Sequence, residues 1–201
     1  MRVIAGKYRG RTLKSPPDAR TRPTSDRLRE TLFNILNPRI DEQTRFLDLC
    51  AGTGAVGIEA LSRGAAFATF VDRSRKSCAL IETNLDLLEI PEQQTEVILL
   101  EAADFLKRAQ KRIVEESKEN LELDDAGGPS WDVVFFDPPY SEDYRSVLEQ
   151  FGWEDARLLR ANGVVIAEHH HKTHLPDLIH QLRRWRMLKQ GDSCLSFYEI
   201  A

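Results

Sequence analysis

The stretch Phe46-Leu47-Asp48-Leu49-Cys50-Ala51-Gly52-Thr53-Gly54-Ala55-Val56-Gly57 constrains the fold more than any other part of the chain. An apolar strand pattern enters a turn rich in glycine and leaves it as a helix pattern, the signature of a parallel α/β sheet. The residues downstream repeat the theme. Strands are expected at 45–50, 67–71, 95–100, 131–136 and 163–168, with helices between them, and such alternation needs a sheet covered on both faces. Two further strands, about 185–190 and 194–200, meet at Gly191-Asp192 and predict a closing antiparallel hairpin on the sheet edge. The expected architecture is a Rossmann-like α/β fold with a mostly parallel seven-stranded sheet.

The spacing Gly52-x-Gly54-x-x-Gly57 matches the dinucleotide-binding fingerprint, with Asp72 at the end of the next strand where a ribose-binding acid belongs. Asp48 decides between cofactors. A carboxylate beside this turn would repel a pyrophosphate, whereas it suits the ammonium of a methionine group. S-adenosyl-L-methionine carries that ammonium and a sulfonium and has no phosphate, so the turn of Ala51, Gly52 and Gly54 above Asp48 is expected to hold it. Asp72 would accept both ribose hydroxyls, with Arg73 opening the following helix. Asp104, just past the third strand, can accept from the adenine amino group or serve as N-cap of a helix beginning at Phe105.

The run Trp131-Asp132-Val133-Val134-Phe135-Phe136 then delivers Asp137-Pro138-Pro139-Tyr140 to the carboxyl end of a buried strand, the edge at which open α/β sheets bind ligands. Asp137 can accept one hydrogen bond from an amino group. The Pro138 carbonyl, freed from regular pairing by Pro139, can accept another, and Tyr140 can stack on a planar ring. The same four residues also fit a tight turn that ends a strand.

Charge is unevenly distributed. Residues 1–45 hold 11 Lys and Arg against 5 Asp and Glu, and the remainder holds 17 against 27, within a net charge of −4. A basic arm on an acidic body suits a polyanionic partner. The arm reads as a hairpin, Arg2–Ala5 and Arg11–Lys14, whose loop carries Lys7, Tyr8 and Arg9. A Pro- and Arg-rich loop follows, then a helix over about 24–36 capped by Thr24 or Ser25. Residues 1–40 are therefore expected to form a nucleic-acid-binding extension and residues 41–201 the cofactor-binding catalytic domain. Arg2, Lys7, Arg9, Arg11, Arg22, Arg27 and Arg29 are its candidate phosphate contacts. Asp26 and Glu30 are alternative ion-pair partners for those near the helix.

Cys50, Cys78 and Cys194 are too scattered for a disulfide framework or a zinc site and read as reduced, mostly buried thiols. No apolar stretch is long enough for a bilayer and the first residues lack a signal-peptide core, so a cytoplasmic monomer is expected. Residues 107–130 read as a helix extension followed by a solvated loop. All five histidines lie between 169 and 180. With no evident acidic or cysteine partner they read as a solvated loop near RNA rather than a metal site, and no metal is expected.

Taken in order, Asp48-Leu49-Cys50-Ala51-Gly52-Thr53-Gly54, Asp72 and Asp137-Pro138-Pro139-Tyr140 resemble the motifs of class I S-adenosylmethionine-dependent amino-methyltransferases. The arm narrows the resemblance. Arg2-Val3-Ile4-Ala5-Gly6-Lys7-Tyr8-Arg9-Gly10-Arg11 and Arg22-Pro23-Thr24-Ser25-Asp26-Arg27-Leu28-Arg29-Glu30-Thr31-Leu32-Phe33-Asn34 are similar to the RsmD-type bacterial enzymes, which methylate N2 of guanine 966 in 16S ribosomal RNA. The resemblance implies a class I methyltransferase fold, with S-adenosyl-L-homocysteine as product. It also implies 16S ribosomal RNA, or a partly assembled small ribosomal subunit, as substrate. Competing readings are a DNA adenine-N6 methyltransferase, a non-catalytic RNA-binding ribosome-assembly factor and, from the glycine spacing alone, a nicotinamide dehydrogenase.

Overall fold

The structure, a computed structural model, describes residues 1–16, 25–118, 130–139, 143–153 and 156–201. Helix α1 (Asp26–Leu36) precedes the alternating units β1 (Arg45–Leu49), α2 (Ala55–Ser62), β2 (Phe67–Asp72), α3 (Arg75–Leu87), β3 (Thr95–Leu99), α4 (Ala102–Lys118), β4 (Trp131–Phe136) and α5 (Tyr144–Gly152). Strands β5 (Leu159–His170), β6 (Leu178–Ile179), β7 (Leu182–Gln190) and β8 (Ser193–Ile200) complete the chain. They form one sheet in the order β3-β2-β1-β4-β5-β8-β7-β6, parallel from β3 through β5 and antiparallel beyond. The seven strands expected from the sequence are present, and the two-residue β6 adds an eighth at the edge.

Alternating residues divide the core between the two faces of the sheet. Phe46, Phe70, Phe135, Ile166 and Phe197 pack under α1, α2 and α3, while Leu49, Val71, Phe136, Ala167 and Tyr198 pack with α4 and α5. Each large apolar side chain of this kind gains about 1.5–3 kcal/mol by leaving water. Gly57 belongs to this packing. A Cβ there would lie 2.3 Å from Phe70 Cε1, so only glycine lets α2 approach β2 this closely.

Two of the boundaries that differ from expectation bear on candidate residues. Strand β5 runs over Leu159–His170 and so includes His169 and His170, placed in a loop by the sequence reading. Helix α4 begins at Ala102, so Asp104 lies inside its first turn and is not the N-cap of a helix starting at Phe105. The Phe105 amide bonds to the Glu101 carbonyl instead. The helical part of the 107–130 expectation is met as far as Lys118, and 119–129 lie outside the described residues.

The N-terminal arm is docked rather than free. One antiparallel bridge, Arg2 with Thr12, and the bonds Val3 N to Arg11 O and Gly10 N to Val3 O close a hairpin. Val3, Tyr8 and Leu13 join the same apolar cluster as α1 and α2. Gly6 makes that contact possible, because a Cβ there would fall 1.7 Å from the Ser62 carbonyl oxygen. No described helix is long and apolar enough to cross a membrane.

Candidate active site

The carboxyl ends of β3, β2, β1 and β4 lie side by side, because Leu99 pairs with Asp72, Val71 with Leu49, and Leu49 with Phe136. The described donor-site candidates and Asp137-Pro138-Pro139 leave the sheet along this edge. The chain after β1 turns at Cys50 (φ 61) and passes through Gly52 and Gly54, also at positive φ, into α2. The Ala51 amide bonds to the Val71 carbonyl at 3.0 Å and the Gly54 amide to the Ala51 carbonyl at 2.8 Å, which closes the turn. Cys50 takes a positive φ without the conformational licence of glycine, and such strain concentrates at ligand sites.

Asp48 sits under this turn, 2% exposed, and accepts a hydrogen bond from the Gly57 amide at 2.9 Å. Burial pushes its carboxyl up to about 8, the Gly57 bond pulls it down, and the neighbouring Asp72 adds repulsion. Asp72 accepts from the Gly52 amide at 2.9 Å with one oxygen and from the Ser74 amide at 2.8 Å with the other. Each oxygen retains a lone pair, so a diol can still be held. Arg73 contacts Glu101 at 3.5 Å across the ends of β2 and α4. Asp104 is exposed and pairs with Lys107 at 3.6 Å.

On the other side of β1, the Asp137 amide donates to the Leu49 carbonyl at 3.3 Å and hooks the segment after β4 onto the strand that carries the glycine turn. Asp137 is half-buried, Pro138 buried and Pro139 exposed. Among the described residues the Pro138 carbonyl accepts no hydrogen bond. Tyr140 lies outside the described residues. Tyr144, at the start of α5, is buried with its hydroxyl on the Glu168 carbonyl at 3.1 Å and its ring edge-on to Phe136. It ties the far end of this segment to β5.

The cations of the arm separate into groups. Arg2, Arg9 and Arg27 are exposed. Lys7 lies over the ring of Tyr8, which is buried rather than presented in the loop, and Arg11 donates to the Leu87 carbonyl at 2.7 Å. Arg22 lies outside the described residues. Arg29 corrects the sequence reading: it is wholly buried, donating to Asp26 at 3.0 Å and to the Arg2 carbonyl at 2.5 Å, with Glu59 at 3.8 Å. It occurs one position after Leu28 on the inward face of α1, so no phosphate reaches it.

Two buried polar residues that the sequence reading passed over hold the arm against the cofactor turn. Glu59 accepts from the amides of Ile4 and Ala5 at 2.8 and 3.0 Å and pairs with Arg63 at 2.8 Å. Asn84 accepts from the Lys14 amide at 2.8 Å and donates to the Thr53 carbonyl at 3.0 Å. Both carried a signal, a lone polar residue on an otherwise apolar helix face.

The histidines also need correction. His169 is a buried strand residue bonded to Ser196 at 2.9 Å, and burial lowers its pKa. His170 and His171 gather with Asp192, with candidate ligand atoms within 4.8 Å. The acidic partner absent from the local sequence is thus supplied by the turn between β7 and β8, and the His171 amide bonds to the Asp192 carbonyl at 2.8 Å, next to the β5–β8 pairing of His170 with Ser193. Cys78 and Cys194 are buried and Cys50 half-buried, all outside any disulfide.

A family model described as conserved hypothetical protein 95 matches residues 1–199. The ribosomal RNA small subunit methyltransferase D of Haemophilus influenzae is 33% identical over 204 residues, covering 100% of this chain and 92% of its own. The protein of that name from Escherichia coli K12 is 38% identical over 157 residues, covering 76% and 69%. A solved structure of a Thermus thermophilus hypothetical protein aligns with a TM-score of 0.78 at 28% identity over 100% and 99% of the two chains. A more distant structure, complexed with S-adenosylhomocysteine, shares the fold at 15% identity and a TM-score of 0.61 over 86% of this chain and 49% of that one.

Proposed function

This chain belongs to the family described as conserved hypothetical protein 95, and from that premise we propose that it methylates the exocyclic N2 amino group of one guanine in 16S ribosomal RNA. Two relatives named ribosomal RNA small subunit methyltransferase D support the RNA substrate, and the RsmD-type resemblance of the arm supports guanine 966 as its target. The methyl donor is S-adenosyl-L-methionine. The residues fit it: the Asp72 carboxylate, with an Asp48 beneath the turn that ionises when a cation is bound, makes this turn hostile to a pyrophosphate and suited to a cation.

One observation carries the reading. The Asp137-to-Leu49 bond fixes Asp137 and the Pro138 carbonyl beside the turn that would hold the donor. An exocyclic amine is a poor nucleophile because its lone pair is delocalised into the ring. Two hydrogen bonds, from the amino group to Asp137 and to the Pro138 carbonyl, would orient the nitrogen toward the donor methyl for in-line displacement. The bound donor supplies a methyl group on a sulfonium leaving group. Transfer would form the N–C bond as the S–C bond of the donor breaks, and the amino nitrogen held by Asp137 and the Pro138 carbonyl would then be acidic enough to lose its proton without a dedicated strong base. Tyr140 would stack on the unstacked guanine, a contact of about 1–3 kcal/mol.

On this reading residues 1–40 form the RNA-binding extension of a catalytic domain over 41–201. The enzyme works as a cytoplasmic monomer on 16S RNA or a partly assembled small subunit. Asp104 and Arg73 complete the adenosine end of the donor site. Transfer of labelled methyl from S-adenosyl-L-methionine to small-subunit RNA tests the substrate class. Label entering only duplex DNA would replace this reading with a DNA methyltransferase, and no transfer to either would leave an RNA-binding factor.

A further inference from the structure

The exposed arginines of the arm converge on one cleft. It has a volume of about 440 Å³ between the hairpin and the first turns of α1, and Arg2, Arg9, Asp26, Arg27 and Glu30 supply its charged side chains. Arg9 and Arg27 make no ion pair among the described residues, and Arg2 meets Asp26 only loosely, at 3.9 Å. Three guanidinium forks are therefore available to an anion.

The walls are fixed before any ligand arrives. Buried Arg29 holds both the Arg2 carbonyl and the Asp26 carboxylate, at 2.5 and 3.0 Å. Glu59, equally buried, pins Ile4 and Ala5 from behind. The hairpin closes through Gly10 N to Val3 O at 2.9 Å. Next to Arg2, Met1 Sδ lies 3.8 Å from Thr53 Oγ1, so the residue preceding a wall of the cleft touches the glycine turn.

We propose that this cleft is a ribonucleotide subsite, taking one nucleotide of the RNA substrate other than the guanine that is methylated. Its phosphate lies against Arg2, Arg9 and Arg27, and hydrogen-bond donors of its sugar or base meet Asp26 and Glu30. The mixed charge selects this ligand. Carboxylates would repel a bare phosphate, whereas a ribonucleotide carries an anion together with hydroxyl and amino donors, and its 2′-hydroxyl distinguishes RNA from DNA. This inference rests on the reading of the chain as an RNA methyltransferase and adds a recognition site outside its catalytic pocket.

The test is fluorescence anisotropy of a labelled single-stranded RNA oligonucleotide of small-subunit sequence, and of its DNA counterpart, with the full chain bound to S-adenosylhomocysteine. Circular dichroism confirms the fold of each variant. The double variant Arg9→Ala/Arg27→Ala is expected to bind RNA about tenfold more weakly, with a salt dependence reduced by about one phosphate contact. Glu30→Gln is expected to lower the preference for RNA over DNA about threefold, and affinity for S-adenosylhomocysteine should stay unchanged in both. Binding within about twofold of wild type in the double variant overturns the proposal. So does an RNA-over-DNA preference untouched by Glu30→Gln, which would reduce the cleft to a phosphate contact. Arginine-dependent RNA binding by a chain that transfers no methyl group would support the cleft and count against the catalytic reading alone.

Discussion

The Asp48 carboxylate accepts the Gly57 amide at 2.9 Å beneath the turn that links β1 to α2, with only 2% of the residue exposed. One hydrogen bond does not offset the desolvation of a full charge, and the carboxyl is held up at about 8 as a result. Ligand binding and stability should therefore pull on this residue in opposite directions.

Because its folded pKa lies above the ordinary value of 3.8, Asp48 keeps a proton that the unfolded chain releases. The stabilisation from that proton is complete below about 3.8 and is lost as pH rises toward and through about 8. Asp48→Asn keeps an acceptor for Gly57 and removes the charge. Its ligand-free thermal midpoint should exceed that of wild type at pH 8–9, by roughly 2–4 °C per kcal/mol recovered, and the gap should close below about pH 4. Wild-type affinity for S-adenosyl-L-methionine should rise between about pH 6 and 8, as the carboxylate ionises to meet the ammonium, whereas the variant should bind weakly and lack this rise. Thermal melts and calorimetric titration across this range check the two expectations.

Asp137→Ala removes one of two proposed acceptors while the backbone bond from residue 137 to Leu49 remains available. Methyl transfer should fall by about 10²–10³-fold, the scale of losing one aligned polar group at a reacting centre. Thermal stabilisation by S-adenosylhomocysteine should persist. A variant that lost donor binding along with activity would make Asp137 part of the donor site instead.

Arg29→Met tests whether the arm is held by the buried charges. Glu59 would keep Arg63, but the Arg2 carbonyl and Asp26 would both lose their donor. Breaking a buried pair from one side costs about 3–5 kcal/mol, so the urea midpoint should drop and trypsin should cut the hairpin faster. An unchanged midpoint would show that the apolar contacts of Val3, Tyr8 and Leu13 suffice.

The alternation of strands and helices was legible because burial on both faces of a parallel sheet writes long apolar runs such as Val133–Phe136, and because the glycine turn has few other uses. The destination of each charge was harder to read. Seven cations looked alike in a count, yet Arg29 shares a helix face with Phe33 and Leu36, at steps of four and three residues, and that spacing already argued for burial. The meeting of His170 and His171 with Asp192 had no local trace, since the hairpin supplies the acid from 21 residues away. The capping alternative for Asp104 arose because its helix starts before the apolar pattern shows it.

The identity of the methylated nucleoside tests the proposed chemistry most directly. Small-subunit RNA is incubated with the protein and S-adenosyl-L-methionine, digested to nucleosides and resolved by mass spectrometry. The expected product is N2-methylguanosine, formed by the wild-type chain and about 10²–10³-fold more slowly by Asp137→Ala. Methylation found only on adenine N6, or N2-methylguanosine formed equally well by the variant, would contradict it.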